Sequence, residues 1–158
     1  MKIYSQDFLE GIKHYKIQQI IIKPFDKFYY IPERAVGIAT VIDFSKNRMW
    51  LEFPEDSISN WVYRRDCLFV PEVYNSKNIF RSLLGMVGKT CDISIKLYKG
   101  KTFYDIKVVS RMNQSEMMSF KGTDFQMLLL EAAIYKKTGE RWRKSRKKWV
   151  SKLEYVKK

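Results

Sequence analysis

The residues whose types and spacing suggest chemistry lie near the C-terminus, where cations and tryptophans alternate. Trp142 and Trp149 stand among seven basic side chains, Arg141, Arg143, Lys144, Arg146, Lys147, Lys148 and Lys152. Such cations contact phosphates electrostatically, while indoles stack on bases or wedge between them, so this mixture is typical of nucleic-acid binding. In the alternative interpretation both tryptophans pack against the rest of the domain and only the cations face outward.

Other residue patterns give little support for catalysis. The run GMVGKT (85–90) ends like a phosphate-binding P-loop, but Leu83 replaces its first glycine and a predicted strand follows where a helix is required. His14 is the only histidine and lies in no metal-ligand cluster or nucleophile motif. Cys67 and Cys91 are predicted to be buried thiols in separate strands. We therefore expect a non-enzymatic protein with no metal, cofactor or small-molecule substrate.

The charge of the chain is concentrated in its second half. The 158 residues carry 30 Lys+Arg and 17 Asp+Glu, a net charge of +13. Residues 1–75 hold 10 basic and 10 acidic side chains, residues 76–158 hold 20 and 7, and residues 135–158 alone have a net charge of +9. Self-repulsion of this size favours a polyanionic partner such as nucleic acid. A solvated tail that keeps the protein soluble is the alternative.

Hydropathy predicts a folded protein that does not enter a membrane. Hydrophobic residues make up 46% of the chain and aromatic residues 15%, which is enough for a packed core. Apolar runs such as 20–22 and 127–130 are far shorter than the roughly 20 residues that cross a bilayer. The N-terminus shows no secretory signal, so we expect a cytoplasmic location.

The elements that must position these residues differ between the two halves. The first half is predicted to form a small barrel or sandwich, after a short helix before Gln18. Its runs rich in β-branched and aromatic residues are 18–23, 35–44, 48–53, 60–64 and 67–70. Residues 24–34 are predicted to be a structured loop. This loop carries Phe25, Phe28, Tyr29 and Tyr30, and we expect at least one ring to contact a partner unless all four close the end of the barrel.

The second half is predicted to form a helix, a three-stranded meander and a second helix. Gly88 and Gly139 are helix stops, Asp124 is a helix cap, and Lys99-Gly100-Lys101 is a hairpin turn. The predicted elements are helix 78–88, strands 91–98, 102–111 and 117–122, helix 124–139 and a basic helix in 140–158 with one apolar stripe.

Two further groups of cations are candidates for phosphate contact. Four lysines surround the predicted hairpin, Lys96, Lys99, Lys101 and Lys107. Arg64 and Arg65 lie beside Trp61 and Tyr63 in the first half, where salt bridges to neighbouring acids are the alternative.

Residues 17–71 resemble a KOW or Tudor-like SH3 barrel. Gly37, Val41, Ile42, Trp50 and Phe53 match that pattern by residue type. The resemblance implies an SH3-like β-barrel that associates with nucleic acid or with a transcription or translation complex. Because this half is electrically neutral, we do not expect it to be the main source of affinity for DNA.

Two further resemblances concern the second half and the chain as a whole. The order of elements in the second half is similar to that of double-stranded-RNA-binding domains, although residues 123–126 (TDFQ) replace the lysine cluster that such domains carry. A KOW-like half joined to a basic half also resembles early, nucleoid-associated proteins of T-even bacteriophages. That resemblance implies DNA binding in the host cytoplasm, an effect on host DNA organisation or transcription, and contact with a host nucleoid or transcription protein.

The sequence therefore predicts an α+β protein with an SH3-like (KOW/Tudor-like) β-barrel at 1–75. A small α-β-β-β-α domain with a cationic C-terminal segment follows at 76–158. The expected function is largely sequence-nonspecific binding of double-stranded DNA, because no recognition-helix motif is present. The alternative is a structural or adaptor protein of a virion or transcription complex, whose barrel binds a protein. RNA and single-stranded DNA remain open as ligands.

Overall fold

A computed structural model describes residues 4–54, 58–75, 81–88, 91–109 and 117–151. These ranges form an α+β structure in which strands outweigh the short helices. The elements are α1 Gln6–Gly11, α2 Tyr15–Gln18, β1 Lys27–Tyr30, β2 Ala35–Asp43, β3 Arg48–Phe53, β4 Ile58–Tyr63, β5 Cys67–Phe69, α3 Leu83–Val87, β6 Asp92–Tyr98, β7 Lys101–Val109, β8 Met117–Gly122, α4 Phe125–Thr138, β9 Arg141–Arg143 and β10 Lys148–Val150. No helix within these ranges is long and apolar enough to cross a membrane.

The chain divides into two compact units. Residues 12–71 form one, here called the sheet unit, and residues 1–11 join 72–158 in the other, here called the basic unit. The sheet unit has 9 Lys+Arg and 7 Asp+Glu, a net charge of +2, whereas the basic unit has 21 and 10, a net charge of +11. This division differs from a simple boundary after residue 75, because α1 packs on α4.

The sheet unit is a five-stranded antiparallel sheet in the order β4-β3-β2-β1-β5. One face is the core, where Met49, Leu51 and Val62 are buried. Gly37 is required by close packing, because a Cβ there would lie 3.1 Å from both the Glu52 carbonyl oxygen and the Phe53 ring. A 3-10 turn at Arg64–Asp66 precedes β5.

Two local predictions for this unit are wrong. Residues 18–23 are not a strand, because α2 ends at Gln18. The Gln18 amide nitrogen donates to the Phe69 carbonyl at 3.0 Å, and its side-chain oxygen accepts from the Phe69 N–H at 2.9 Å. This side chain therefore satisfies the backbone of edge strand β5 where a further strand would pair. The predicted loop 24–34 contains β1, which is stabilised by long-range pairing to β2 and β5.

The basic unit contains a three-stranded antiparallel sheet, β6-β7-β8, with α4 packed on β7 and β8. The Asp124 carboxylate caps α4 by accepting from the Met127 N–H at 3.1 Å, and Gly139 ends the helix in a left-handed conformation, as predicted. Gly88 ends α3, also as predicted, but this helix begins only at Leu83, after the Ser82 cap, so the predicted helix is wrong at residues 81 and 82. Residues 78–80 of the predicted first helix lie outside the described ranges.

The predicted C-terminal helix is wrong in the described part, which is a β-hairpin. β9 pairs with β10, and Trp142 lies directly opposite Trp149. A spacing of seven places two residues on one face of a helix, but it also places them opposite each other across a four-residue turn. A helix would stack like charges at four-residue intervals, such as Lys144 and Lys148, which is destabilising. Leu153 and Val156 of the predicted stripe lie beyond the described residues.

Candidate nucleic-acid interface

Two tryptophans hold the hairpin on the basic unit. The Trp142 and Trp149 rings meet edge to face, with centroids 5.3 Å apart. The Trp149 indole N–H donates to the Gly11 carbonyl oxygen at 3.0 Å, which ties β10 to the end of α1. Trp142 is only 7% exposed. The hairpin therefore agrees with the alternative interpretation, in which the tryptophans are structural and the cations face outward.

The turn of the hairpin presents the cations. Lys144, Arg146, Lys147 and Lys148 are exposed, and Lys144 has 85% of its side chain accessible even though its ammonium lies 3.9 Å from the Asp7 carboxylate. An ion pair this exposed contributes about 0–1 kcal/mol, so it does not prevent binding to a phosphate. Arg141 and Arg143 are half-buried, and the Arg141 guanidinium lies over the Phe120 ring. Lys152 lies outside the described residues.

A cleft of about 970 Å³ lies beside the hairpin. It is bounded by β8, the first turns of α4, and β9 with the turn that follows it. Five cations line it, Lys121, Arg141, Arg143, Lys144 and Arg146. Three acids also line it, Asp7, Asp124 and Glu131. Sequence reasoning missed Lys121 and Glu131, because only the folded chain brings them beside the hairpin.

Glu131 is an acid of the cleft whose pKa is strongly raised. Burial raises the pKa of this carboxyl to about 7, and Arg141 and Lys144 only partly offset that effect. The side chain is therefore partly protonated at neutral pH. Protonation increases the net positive charge of the cleft.

Trp142 leaves a polar group unsatisfied at the cleft. Its indole N–H is buried and has no hydrogen-bond partner among the described residues. A buried donor without an acceptor costs about 1–3 kcal/mol. Trp142 also lines the cleft, but this N–H is buried and so is not accessible to a ligand bound there.

The hairpin lysines predicted from the sequence fall mostly on one sheet face. The register of β6, β7 and β8 places Lys96, Lys101 and Lys107 on the face opposite α4, and Lys121 shares it. Phe103, 37% exposed, lies among them. Lys99 is in the turn, with φ +49°. Lys121 therefore belongs both to this face and to the lining of the cleft.

Arg64 and Arg65 have different surroundings. The Arg64 guanidinium donates to the Cys67 carbonyl at 2.8 Å and to the Gln18 carbonyl and side-chain oxygens at 3.3 Å. Burial lowers its pKa. Arg64 is thus part of the internal structure of the sheet unit, whereas Arg65 is exposed and lies over the Tyr63 ring at 4.8 Å.

The four aromatic residues assigned to a partner-binding loop differ in their exposure to solvent. Phe25 is 76% exposed. Phe28 is fully buried in β1 and packs edge to face on Phe69, so its assignment to a partner surface is wrong. Tyr29 and Tyr30 are half-buried.

The outer face of β3 and β4 carries aromatic rings, of which sequence reasoning placed Trp61 and Tyr63 beside candidate cations but missed Trp50. Trp50 and Trp61 are directly opposite, with ring centroids 5.5 Å apart. The Arg48 guanidinium lies over Trp61 at 4.3 Å and also binds the Asp43 carboxylate at 3.2 Å. The period of two along these strands could have revealed this face.

The residues considered for catalysis or metal binding are part of the internal structure of the protein. His14 is buried, and its Nδ1 accepts from the Lys16 N–H at 3.1 Å to cap α2. Burial raises the pKa of the Cys67 thiol to about 12. Cys91 is half-buried and precedes β6, so its prediction as a buried strand residue is wrong, although partial burial also raises the pKa of its thiol. Among the described residues, no three His, Cys, Asp or Glu side chains are grouped to hold a metal ion.

Comparison of the chain with protein-family models, with curated protein sequences and with solved structures finds no match.

Proposed function

We propose that the protein is a non-enzymatic, largely sequence-nonspecific DNA-binding protein that contacts duplex phosphates through the basic unit. The observation that carries this proposal is the cleft of the basic unit, which five cations line together with three acids. A phosphate oxygen is negatively charged and accepts hydrogen bonds, so it is a suitable partner for these cations.

The hairpin supplies cations both to the cleft and, at Lys147 and Lys148, outside its lining. Its exposed turn cations reach solvent from a short two-stranded ribbon, an element that fits a DNA groove. Residues Lys144–Arg146 of the turn are all exposed, so their cations are accessible to phosphates. Binding of this kind affects all duplex sequences alike.

The charge distribution supports a division of labour. The basic unit has a net charge of +11 and the sheet unit only +2. Since nonspecific DNA affinity comes almost entirely from neutralised phosphates, the basic unit supplies most of it.

For the sheet unit, we favour an SH3-like barrel of the KOW or Tudor type. Pairing of the last strand, β5, with the first, β1, supports this proposal, although β4 and β5 are the two edges of an open sheet and no closed barrel is formed among the described residues. The resemblance to phage nucleoid-associated proteins extends the proposal to the host cytoplasm, where the protein would alter DNA organisation or transcription. A host nucleoid or transcription protein would be its protein partner.

A second function, that of an adaptor, is favoured by the outer face of β3 and β4. Trp61 is 38% exposed and Tyr63 51% exposed, and each has an arginine over its ring. Aromatic residues and arginine are the types enriched where proteins bind one another. In that case the sheet unit binds a protein and the basic unit meets nucleic acid secondarily.

The salt dependence of DNA binding tests the first proposal. The hairpin variant replaces Lys144, Arg146, Lys147 and Lys148 by Gln, and affinity for duplex DNA is measured by fluorescence anisotropy over a series of salt concentrations. Each phosphate contact contributes about −0.9 to the slope of log affinity against log salt, so losing four contacts flattens the slope by about 3.6. Single-stranded DNA and RNA of equal length are titrated in parallel.

The matched control removes four exposed cations of the sheet unit, Lys13, Lys23, Arg34 and Lys46. It should leave the slope unchanged. Equal flattening in the hairpin and control variants would refute the assignment to the basic unit. An unchanged slope in the folded hairpin variant would refute the role of the turn. Tighter binding of single-stranded DNA or RNA than of duplex DNA would show that duplex DNA is not the preferred ligand.

A further inference from the structure

Strand β6 is an open edge with exposed apolar side chains. Within the described residues it pairs with β7 alone. Ile95, Leu97 and Tyr98 are 68%, 73% and 55% exposed. Ile93, Ile95 and Leu97 share the sheet face on which α4 lies, but α4 packs on β7 and β8. Long apolar edge strands readily accept another strand.

The hairpin turn determines which backbone groups of β6 face outward. Lys99 and Gly100 have φ +49° and +75°, the positive values of a two-residue type I′ turn. Tyr98 and Lys101 close that turn and are therefore a hydrogen-bonded pair. Because bonding alternates along an antiparallel strand, the N–H and C=O groups of Ile93, Ile95 and Leu97 point to the open edge.

The sequence of β6 is complementary to itself in the antiparallel direction. When the strand is paired with a second copy about Ile95, Ile93 lies opposite Leu97 and Ile95 lies opposite Ile95. On the other face, Asp92 of one copy lies diagonal to Lys96 of the other, so the charges are opposite. Lys96 alone would discourage edge pairing, but Asp92 compensates for it in this register.

We propose that β6 is a homodimer interface, in which two copies of this chain pair β6 to β6 antiparallel about Ile95. The two-fold axis is perpendicular to the sheet, and the two three-stranded sheets become one sheet of six strands. Each of Ile93, Ile95 and Leu97 exchanges backbone hydrogen bonds with its partner, and their side chains form one apolar stripe. A single-strand interface belongs to the small, weak class, so the dissociation constant is on the order of 10–100 μM.

Dimer formation is tested without DNA, so the result is independent of the proposed function. Sedimentation equilibrium of the full chain should show a monomer–dimer equilibrium, and Ile95→Lys with Leu97→Lys should abolish the dimer because four ammonium groups would meet in the stripe. Ile21→Lys, which changes a similarly exposed isoleucine of the sheet unit, should leave the equilibrium unchanged. Circular dichroism verifies that each variant is folded. A wild-type chain that stays monomeric at millimolar concentration would overturn the proposal.

Cross-linking tests the register. In a Cys91→Ser background, Ile95→Cys should form a disulfide-linked dimer on mild oxidation, since hydrogen-bonded antiparallel pairs have Cα atoms about 5.5 Å apart and disulfides tolerate that distance. Tyr98→Cys is the control, because its two copies lie at opposite ends of the paired strands and should not link. Equal cross-linking of the two variants would reject pairing about Ile95.

Discussion

At the scale of single residues, Glu131 makes the stability of the basic unit depend on pH. Its pKa is raised from 4.5 to about 7 in the folded chain, chiefly by burial. Between these values the folded state holds a proton that the unfolded state has lost. The extra proton on Glu131 therefore stabilises the folded state at pH 4.5, and this stabilisation is lost as the pH rises through 7.

Glu131→Gln should remove this dependence. The variant keeps a neutral side chain of the same shape, so it should be as stable as the wild type near pH 4.5 and more stable by up to about 3 kcal/mol above pH 7. Urea unfolding at several pH values measures the difference. A stability difference between variant and wild type that stays constant from pH 4.5 to 8 would contradict the raised pKa of Glu131.

At the scale of elements, local signals were sufficient for some predictions and insufficient for others. Helix α4 was predictable because Asp124 and Gly139 mark its ends in the sequence itself. Strand β1 and the cleft were not, because both depend on residues far apart in the chain. The spacing of Trp142 and Trp149 fits a helix and a hairpin equally, and the contact of Trp149 with Gly11 decides between them.

The backbone at Lys147 distinguishes the hairpin from a helix. Lys147 is left-handed, with φ 48° and ψ 49°, a conformation that costs a non-glycine residue roughly 1–2 kcal/mol. Lys147→Gly relieves that strain in the folded state, but it also raises the conformational entropy of the unfolded chain, which opposes folding. The net effect should stabilise the protein by about 0.5 kcal/mol. In a helix the same change would destabilise by about 1 kcal/mol.

Urea midpoints of Lys147→Gly and Lys148→Gly provide the comparison. Lys148 lies in β10, where glycine weakens a strand, so the two neighbouring substitutions should have opposite signs. Destabilisation by both would argue against the left-handed turn.

At the scale of the whole molecule, the first eleven residues belong with the C-terminal part of the chain. Phe8 is fully buried in α1, and a Cβ on Gly11 would lie 2.8 Å from a Leu130 methyl, so α1 fits tightly against α4. The Gly11 carbonyl also accepts from Trp149. Cutting the chain near residue 72 therefore does not release a complete basic unit.

Three pieces of the chain test this organisation. Residues 12–71 should fold by themselves, because they enclose their own core, and should bind duplex DNA only weakly at a net charge of +2. Residues 72–158 alone should be destabilised, since the buried surfaces of α4 and Trp149 lose α1. A chain in which a flexible Gly/Ser linker replaces 12–71 should regain that stability and keep the parent's DNA affinity and salt slope. Thermal unfolding and anisotropy titration measure all three, and equal stability of 72–158 with and without residues 1–11 would show that α1 is dispensable.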